Sequence, residues 1–364
     1  MLPQLIVKAR VGLLMLAYNF LGIRRPLTSQ ILVTKYCNMN CKMCFVYPLD
    51  KREKIKNTEE PTLEQLKYLI EESCKIGAQV IIPFGGEPLI RKDIGEIIRA
   101  IKEKNRYCIL YTNGTYVKDK IDDLLPVDQL VISVDGDEAT HDNIRGKGSY
   151  KKAIEALELA LSCGIVCRLH TCLIPDTQHT LPHMAFLSKE YGVMLNYGYC
   201  DVTELTRTEE QTISLNRDSV IKFLKQYYEI KKSGVQISTP AKVIKDCIRV
   251  MEKWPTINGL LTKDEAQRFS HLKIPKCALP MSNIYIDSDG SVYPCLPLWG
   301  KEGNAPNVYK VGLKAAWDHY RDLDCYQCAS IFTIEKSLFY SFNITTLFQF
   351  LTGYQFLRRG TNRL

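Results

Sequence analysis

Between about residue 28 and residue 200 the chain alternates short apolar runs with longer segments whose apolar positions recur at helical spacing. Six runs read as strands: Ile31 to Lys35, Val80 to Phe84, Tyr107 to Thr112, Gln129 to Val134, Val166 to Leu173 and Leu195 to Cys200. Each is rich in β-branched or aromatic residues and is bounded by Gly, Pro, Asn or Asp, which punctuate strands. The stretches between them, such as Leu63 to Ile76 and Tyr150 to Cys163, carry helical periodicity. Thr62, Asp93 and Ser149 stand as N-caps, and Gly77 and Gly164 as C-terminal stops. Regular alternation of strand and helix implies an α/β fold with parallel pairing, because parallel neighbours need a crossover, and that crossover is right-handed. Such units curl into a full or partial barrel whose chemistry gathers at the C-terminal ends of the strands.

Beyond this region, residues 201–275 are more charged, helical in pattern and punctuated by Pro240, Pro255 and Pro275, which marks a bridge. Residues 276–330 begin with a hairpin-like stretch, Asn283 to Tyr293, around the turn Asp287-Ser288-Asp289-Gly290. The two ends have a different character. Residues 1–26 contain no acid, carry Lys8, Arg10, Arg24 and Arg25, and align Leu2, Ile6, Ala9, Leu13, Leu16, Phe20 and Ile23 on one stripe. That is the pattern of an interfacial helix. A signal peptide would need a small-residue cleavage site, which does not follow, and the uncharged run Val11 to Ile23 is short for a membrane span. Within residues 331–364, Ser337 to Leu357 is uncharged and aromatic-rich. Tyr340, Ile344, Leu347, Leu351 and Tyr354 share a stripe there, with Arg358, Arg359 and Arg363 behind it. Both ends are expected to lie peripherally on the inner face of a membrane, the alternative being helices that cap the open barrel.

Composition adds one thing. The 364 residues are 46% hydrophobic and 24% charged, as expected of a folded protein, and a net charge of +8 gives no case for a nucleic-acid partner. Fourteen cysteines, clustered at short spacings, point to metal ligation in a reducing cytoplasm. Cys37-Asn-Met-Asn-Cys41-Lys-Met-Cys44 has the spacing C-x3-C-x2-C directly after the first strand. Iron-sulfur clusters are normally held by four thiolates, so a three-cysteine loop leaves one iron open to a substrate or cofactor. Zinc is the alternative, but zinc motifs pair their ligands, and no fourth ligand lies close in sequence. A second group, Cys277, Cys295, Cys325 and Cys328, has enough sulfurs to close a site and on its own suits zinc as well as iron. The other cysteines, 74, 108, 163, 167, 172, 200 and 247, read as small core residues, except Cys200, expected at a strand end facing the site.

With these motifs in this order the chain resembles the radical SAM superfamily, over roughly residues 28 to 328. The resemblance implies a partial (β/α)6 TIM-like barrel with a small C-terminal cysteine-rich module. Cys37, Cys41 and Cys44 would hold a 4Fe-4S cluster whose open iron is chelated by S-adenosylmethionine. Gly85-Gly86-Glu87-Pro88 matches the GGEP motif that receives the methionine amino group, and paired glycines allow that close approach. Asn113, in Thr112-Asn113-Gly114, and Ser133 and Asp135, in Ser133-Val134-Asp135-Gly136, would face the cofactor; Arg145 would grip its carboxylate. Met43 stands where relatives often carry an aromatic residue beside adenine, and thioether packing would replace it. Arg168-Leu-His170-Thr171 loosely matches polar positions of the fifth strand. The C-terminal cysteines match the Twitch form of the SPASM family, implying one auxiliary 4Fe-4S cluster. The expected activity is reductive cleavage of S-adenosylmethionine, with electrons from a reductase or ferredoxin-type donor, then hydrogen abstraction from an unactivated C-H bond. A membrane lipid or isoprenoid chain is the first expected substrate and a ribosomal peptide the second; a non-catalytic electron carrier is the remaining alternative.

Overall fold

A computed structural model describes residues 2–44, 46, 60–199, 215–253, 277–299 and 304–320, together with positions 264, 267, 323, 334 and 337. Helix α1 (Leu2–Leu21) leads into an alternation of strands and helices: β1 (Thr28–Thr34), α2 (Leu63–Ile76), β2 (Val80–Gly85), α3 (Ile94–Glu103), β3 (Tyr107–Thr112), α4 (Ile121–Leu124), β4 (Gln129–Ser133), α5 (Glu138–Arg145), α6 (Ser149–Ser162), β5 (Cys167–Leu173), α7 (Leu181–Glu190) and β6 (Met194–Tyr199). These six strands pair in parallel in chain order, the arrangement of a partial α/β barrel. Helices α8 (Arg217–Lys232) and α9 (Ala241–Lys253) follow, then α10 (Leu279–Ser282), β7 (Asn283–Ile286), β8 (Val292–Tyr293), α11 (Val308–Val311) and α12 (Leu313–Asp318). The hairpin of β7 and β8 forms around the expected turn, and β7 also pairs in parallel with β1, so the sheet runs β6-β5-β4-β3-β2-β1-β7-β8.

Strand alternation divides the buried surface in two. Ile31, Ile81, Leu110, Ile132 and Leu169 face outward and pack with Leu66, Ile70, Ile98 and Leu157 of the surrounding helices. Leu32, Ile82, Phe84, Tyr107, Tyr285 and Trp299 face inward and form a second apolar cluster under β1 to β3 and the hairpin. Along β5 the pattern changes: buried positions alternate strictly with half-buried ones, so its inward face is open. The barrel interior is therefore closed by hydrocarbon on one side and left accessible on the other.

Local chemistry explains the boundaries. Thr62 and Gln65 form a reciprocal capping box on α2, and Gly77 ends it in a left-handed conformation (φ 117°). Asp93 precedes α3 but does not cap it, because its carboxylate is taken by Arg91. Ser149 is the first residue of α6 rather than its cap: Gly148 (φ 78°) precedes it, and its hydroxyl donates to Gly146 O. Strand β1 begins at Thr28, three residues before the apolar run, because the Ser29 hydroxyl is satisfied by Ser73 of α2 at 2.9 Å and Leu27 N donates to Ser282 O. Of the cysteines read as core, 108, 167 and 247 are buried and 74 and 172 half-buried, but Cys163, past the end of α6, is exposed. Cys200 lies outside the described residues.

Helix α1 uses two faces. Val11 and Met15, at 0% and 1% exposure, join the inner apolar cluster, and the Tyr18 hydroxyl reaches Met281 Sδ at 3.5 Å. Leu13, Leu16 and Phe20 of the sequence stripe remain on the exposed side. Docking on the barrel, the alternative reading of this helix, describes one face. Among the described residues no helix is long and apolar enough to cross a membrane, and the C-terminal stripe lies outside them. Met15→Ala is expected to cost about 2–4 kcal/mol in urea unfolding, and Leu13→Ala less than about 0.5 kcal/mol. Equal costs would mean that α1 does not dock through Met15.

Candidate functional site

The exits of β1 and β2 pass so close that side chains are excluded. Gly86 N donates to Thr34 O at 3.0 Å and Glu87 N to Tyr36 O at 2.8 Å. A Cβ on Gly85 would lie 2.1 Å from Thr34 O; one on Gly86 would lie 2.2 Å from Tyr36 O and 3.0 Å from the Cys37 Cβ. The chain entering the cysteine loop is thus laid across the two glycines, and only glycine fits beneath it.

Four further contacts hold the loop. Asn113, past the end of β3, donates through Nδ2 to Asn38 Oδ1 at 2.9 Å. Lys42 donates through Nζ to Asn143 Oδ1 at 3.1 Å and through its backbone N to Ile144 O at 3.2 Å, both on α5. Arg145, the last residue of α5, brings Nη1 to 3.8 Å from Cys41 Sγ. Met43 is buried with Ile144 and Ile174, and Cys41 and Cys172 pack against them. Cys37 is exposed, while Cys41 and Cys44 are half-buried. The sulfurs share one loop, although among the described residues no three Cys, His, Asp or Glu side chains already form a metal-ligating cluster.

Glu87 is buried, and its carboxylate is occupied by the scaffold: Oε1 accepts from Leu89 N and the Thr112 hydroxyl, and Oε2 from Asn113 N. Burial pushes its pKa up to about 7 against these hydrogen bonds. Pro88 starts the 3-10 turn Pro88–Ile90 that Glu87 caps. Asp135 is also fully buried. Its carboxylate accepts from Arg145 Nε and from Cys172 N, and its own N–H donates to His141 Nδ1. Burial works against the charge of Arg145, but Asp135 and Cys41 outweigh it and hold the guanidinium pKa above its ordinary value. His141 Nδ1 accepts, which puts the ring proton on Nε2, and burial lowers its pKa to about 4. Ser133 is half-buried on the inward face, in register with His170.

The open side of the barrel carries a polar group that the sequence motifs only brush. Arg168 donates through Nη2 to the Tyr111 hydroxyl at 3.0 Å, and His170 sits edge-on to the Tyr111 ring, centroids 5.7 Å apart. His170 Nδ1 meets Asn196 Oδ1 at 2.7 Å, and Asn196 Nδ2 donates to Ser238 Oγ at 3.0 Å. Burial lowers the His170 pKa to about 4. Thr171 faces the other way and donates to Val134 O. Tyr111 and Asn196 are findable only as inward positions of β3 and β6, since neither lies in a recognisable motif. In the C-terminal module Cys277 and Cys295 are buried in one cluster with Leu279 and Leu298, against which Leu323 packs. Cys325 and Cys328 lie outside the described residues.

A family model described as the radical SAM superfamily matches residues 31–187, which span the cysteine loop, the two glycines and both buried acids. Residues 31–187 thus form a radical SAM domain. The chain is accordingly an enzyme, with a 4Fe-4S cluster and S-adenosylmethionine as cofactors. Among curated relatives, this radical SAM enzyme is 24% identical over 294 residues to an AdoMet-dependent heme synthase of Methanosarcina barkeri, covering 79% of this chain and 80% of that one. It is 29% identical over 162 residues to an Fe-coproporphyrin III synthase of the same organism, a match to 43% of this chain and only 40% of that one. Its fold is like that of Streptococcus suis SuiB bound to the precursor peptide SuiA, with a TM-score of 0.64 at 15% identity over 83% of this chain and 66% of that one. The residues present fit the cofactors: three thiols in one loop, and a partly buried arginine aimed at Cys41.

Two predictions follow from this geometry. Gly86→Ala is expected to cut iron loading severely in anaerobic reconstitution, because its Cβ meets the backbone that carries Cys37; full loading would show that the crossing is not needed. His141 and His170 are neutral in the fold, with pKa values of about 4 against 6.5 when unfolded. The unfolded chain therefore binds more protons between these values, and stability present above pH 6.5 is lost as the pH falls toward 4, each histidine contributing at most about 1.4 kcal/mol per pH unit. His141→Gln should remove about half of that slope in urea unfolding measured from pH 7.5 to 4.5.

Proposed function

We propose that this radical SAM enzyme abstracts hydrogen from a substrate held inside the barrel beneath the cysteine loop, with a carboxylated tetrapyrrole as the leading substrate class. The reading rests chiefly on the convergence of four separate anchors on the cysteine loop: the two-glycine crossing, Asn113, Asn143 and Arg145. Cys37, Cys41 and Cys44 would hold the 4Fe-4S cluster. Gly85, Gly86, Ser133 and Arg145 line the side on which S-adenosylmethionine would lie. When bound, this pair supplies a carbon-centred radical able to take hydrogen from an unreactive C-H bond. The chain's own part is to position and to exclude. Asp135 fixes the guanidinium of Arg145 by Nε and leaves its outer edge toward Cys41, where it would meet a carboxylate. Met43, Ile144 and Ile174 keep hydrocarbon against Cys41 and limit water there.

Cys277 and Cys295, with Cys325 and Cys328, would hold one auxiliary cluster, and a reductase or ferredoxin-type protein would donate electrons. A tetrapyrrole leads because the relative aligned over four-fifths of its length is named a heme synthase. A peptide ranks second, since the likeness to SuiB carries the fold alone. A lipid chain ranks behind both, supported by the exposed Leu13, Leu16 and Phe20.

Anaerobically reconstituted and reduced protein is expected to release 5'-deoxyadenosine from S-adenosylmethionine, and Cys41→Ala to release none. Fully loaded wild-type protein that releases none would overturn the assignment. Adding iron coproporphyrin III should raise the yield, whereas adding phosphatidylglycerol vesicles should not. No response to the porphyrin would remove the tetrapyrrole reading and leave the cleavage chemistry standing.

A further inference from the structure

Two guanidinium groups bear on the barrel interior, Arg145 from the end of α5 and Arg168 from β5, and their surroundings differ. Arg145 is matched by the buried carboxylate of Asp135. Arg168 has no carboxylate within ion-pair distance among the described residues. Its Nη2 spends one bond on a phenol, and its Nε is buried without a hydrogen-bond partner. An arginine presents five donors in a planar fork, and leaving a buried donor of a half-buried cation unmatched is costly unless something else completes it. Its neighbours do not: Tyr111 offers a hydroxyl and a ring face 5.9 Å from the guanidinium carbon, and Asn196 is committed to His170 and Ser238. The missing partner is an anion, and a carboxylate fits the fork best.

Position decides whose carboxylate it is. Arg168 pairs in register with Val131, His170 with Ser133, and Cys172, the next inward residue, donates to Asp135 beside Arg145. Four residues along a strand span about 13 Å, so the backbone of Arg168 lies roughly that far down β5 from Cys172, whose N–H meets Asp135 beside Arg145. Arg145 already has Asp135, whereas Arg168 sits at a separate level of the wall with no such carboxylate among the described residues. We propose that Arg168 anchors a carboxylate of the substrate on the open wall of the barrel interior, fixing the substrate from below while its reacting carbon faces the cysteine loop. This deepens the proposed function, and rests on substrate entering the barrel.

The test uses the reconstituted protein with coproporphyrin III, a tetracarboxylate, and its tetramethyl ester, each followed by the porphyrin absorbance. Wild type should bind the acid, and Arg168→Gln should bind it at least about tenfold more weakly, with Arg168→Lys between them. The ester should bind wild type no better than the acid binds Arg168→Gln. Circular dichroism and iron content establish that each variant is folded and loaded. Equal affinity of wild type and Arg168→Gln for the acid, or of acid and ester for wild type, overturns the anchor. If wild type binds neither porphyrin, the tetrapyrrole reading falls, and benzoate decides the anchor by quenching of intrinsic fluorescence. Saturable quenching in wild type that is lost in Arg168→Gln and persists with saturating S-adenosylmethionine supports it. Absence of saturation, an unchanged response in the variant, or abolition by S-adenosylmethionine overturns it.

Discussion

The crossing of β1 and β2 at Gly85 and Gly86 is the constraint from which the rest of the site follows. Two backbones meet with carbonyl oxygens where Cβ atoms would otherwise stand, and two hydrogen bonds lock them there. Because Tyr36 and Cys37 must then run over the end of β2, the cysteine loop is held at the C-terminal mouth of the barrel. Glu87, next along β2, is carried into the interior, where an ionised carboxylate would be expensive unless fully hydrogen-bonded. It receives three hydrogen bonds, two of them from the end of β3. A local steric requirement between two strands thus ties three strand ends into one rigid rim.

The rim explains why the fold was more legible in the sequence than the site. Strands β1, β2 and β4 are almost wholly buried and show as near-continuous apolar runs, and the capping box of Thr62 and Gln65 is a local pattern. The apolar pattern starts β1 three residues late because Thr28, Ser29 and Gln30 look like loop, yet the Ser29 hydroxyl is met by Ser73, forty-four residues away. Nothing local announces that β7 joins β1, since that pairing links positions about 250 residues apart. Motif matching draws attention to Glu87 and Asp135 but does not say how they act. In the structure both carboxylates are occupied by the protein itself, Glu87 by backbone and Thr112, Asp135 by Arg145 and Cys172 N. The loop anchors Asn38 and Asn143 carry no signal beyond being polar residues near a motif.

Periodicity misleads in a different way at the N-terminal helix. Its most obvious apolar stripe contains Leu13, Leu16 and Phe20, and these are exposed, whereas the contact with the barrel is made by Val11, Met15 and Tyr18. A helix that is apolar on most of its circumference gives a pattern that does not choose between faces. The choice is made by the inner cluster, which offers Tyr285, Tyr293 and Trp299 on the hairpin side, so docking depends on a module almost 300 residues further along the chain.

Two sides of one interior are therefore built for opposite purposes. Beneath β1 to β3 the aromatic cluster fills space and fixes the loop from below. Along β4 to β6 every second residue of β5 is left half-buried, and Arg168, His170 and Cys172 mark three levels of one wall. Arg145 at the top level is neutralised by Asp135; His170 in the middle is held neutral by burial; Arg168 at the bottom has no protein carboxylate at ion-pair distance among the described residues. A charge left unmatched at one end of a wall and a matched, oriented charge at the other sort two anions by depth, one near the sulfurs and one far from them. On the proposed reading that sorting is what separates cofactor from substrate. A radical enzyme needs this separation more than it needs an acid or a base, because hydrogen is taken from whichever carbon is held closest.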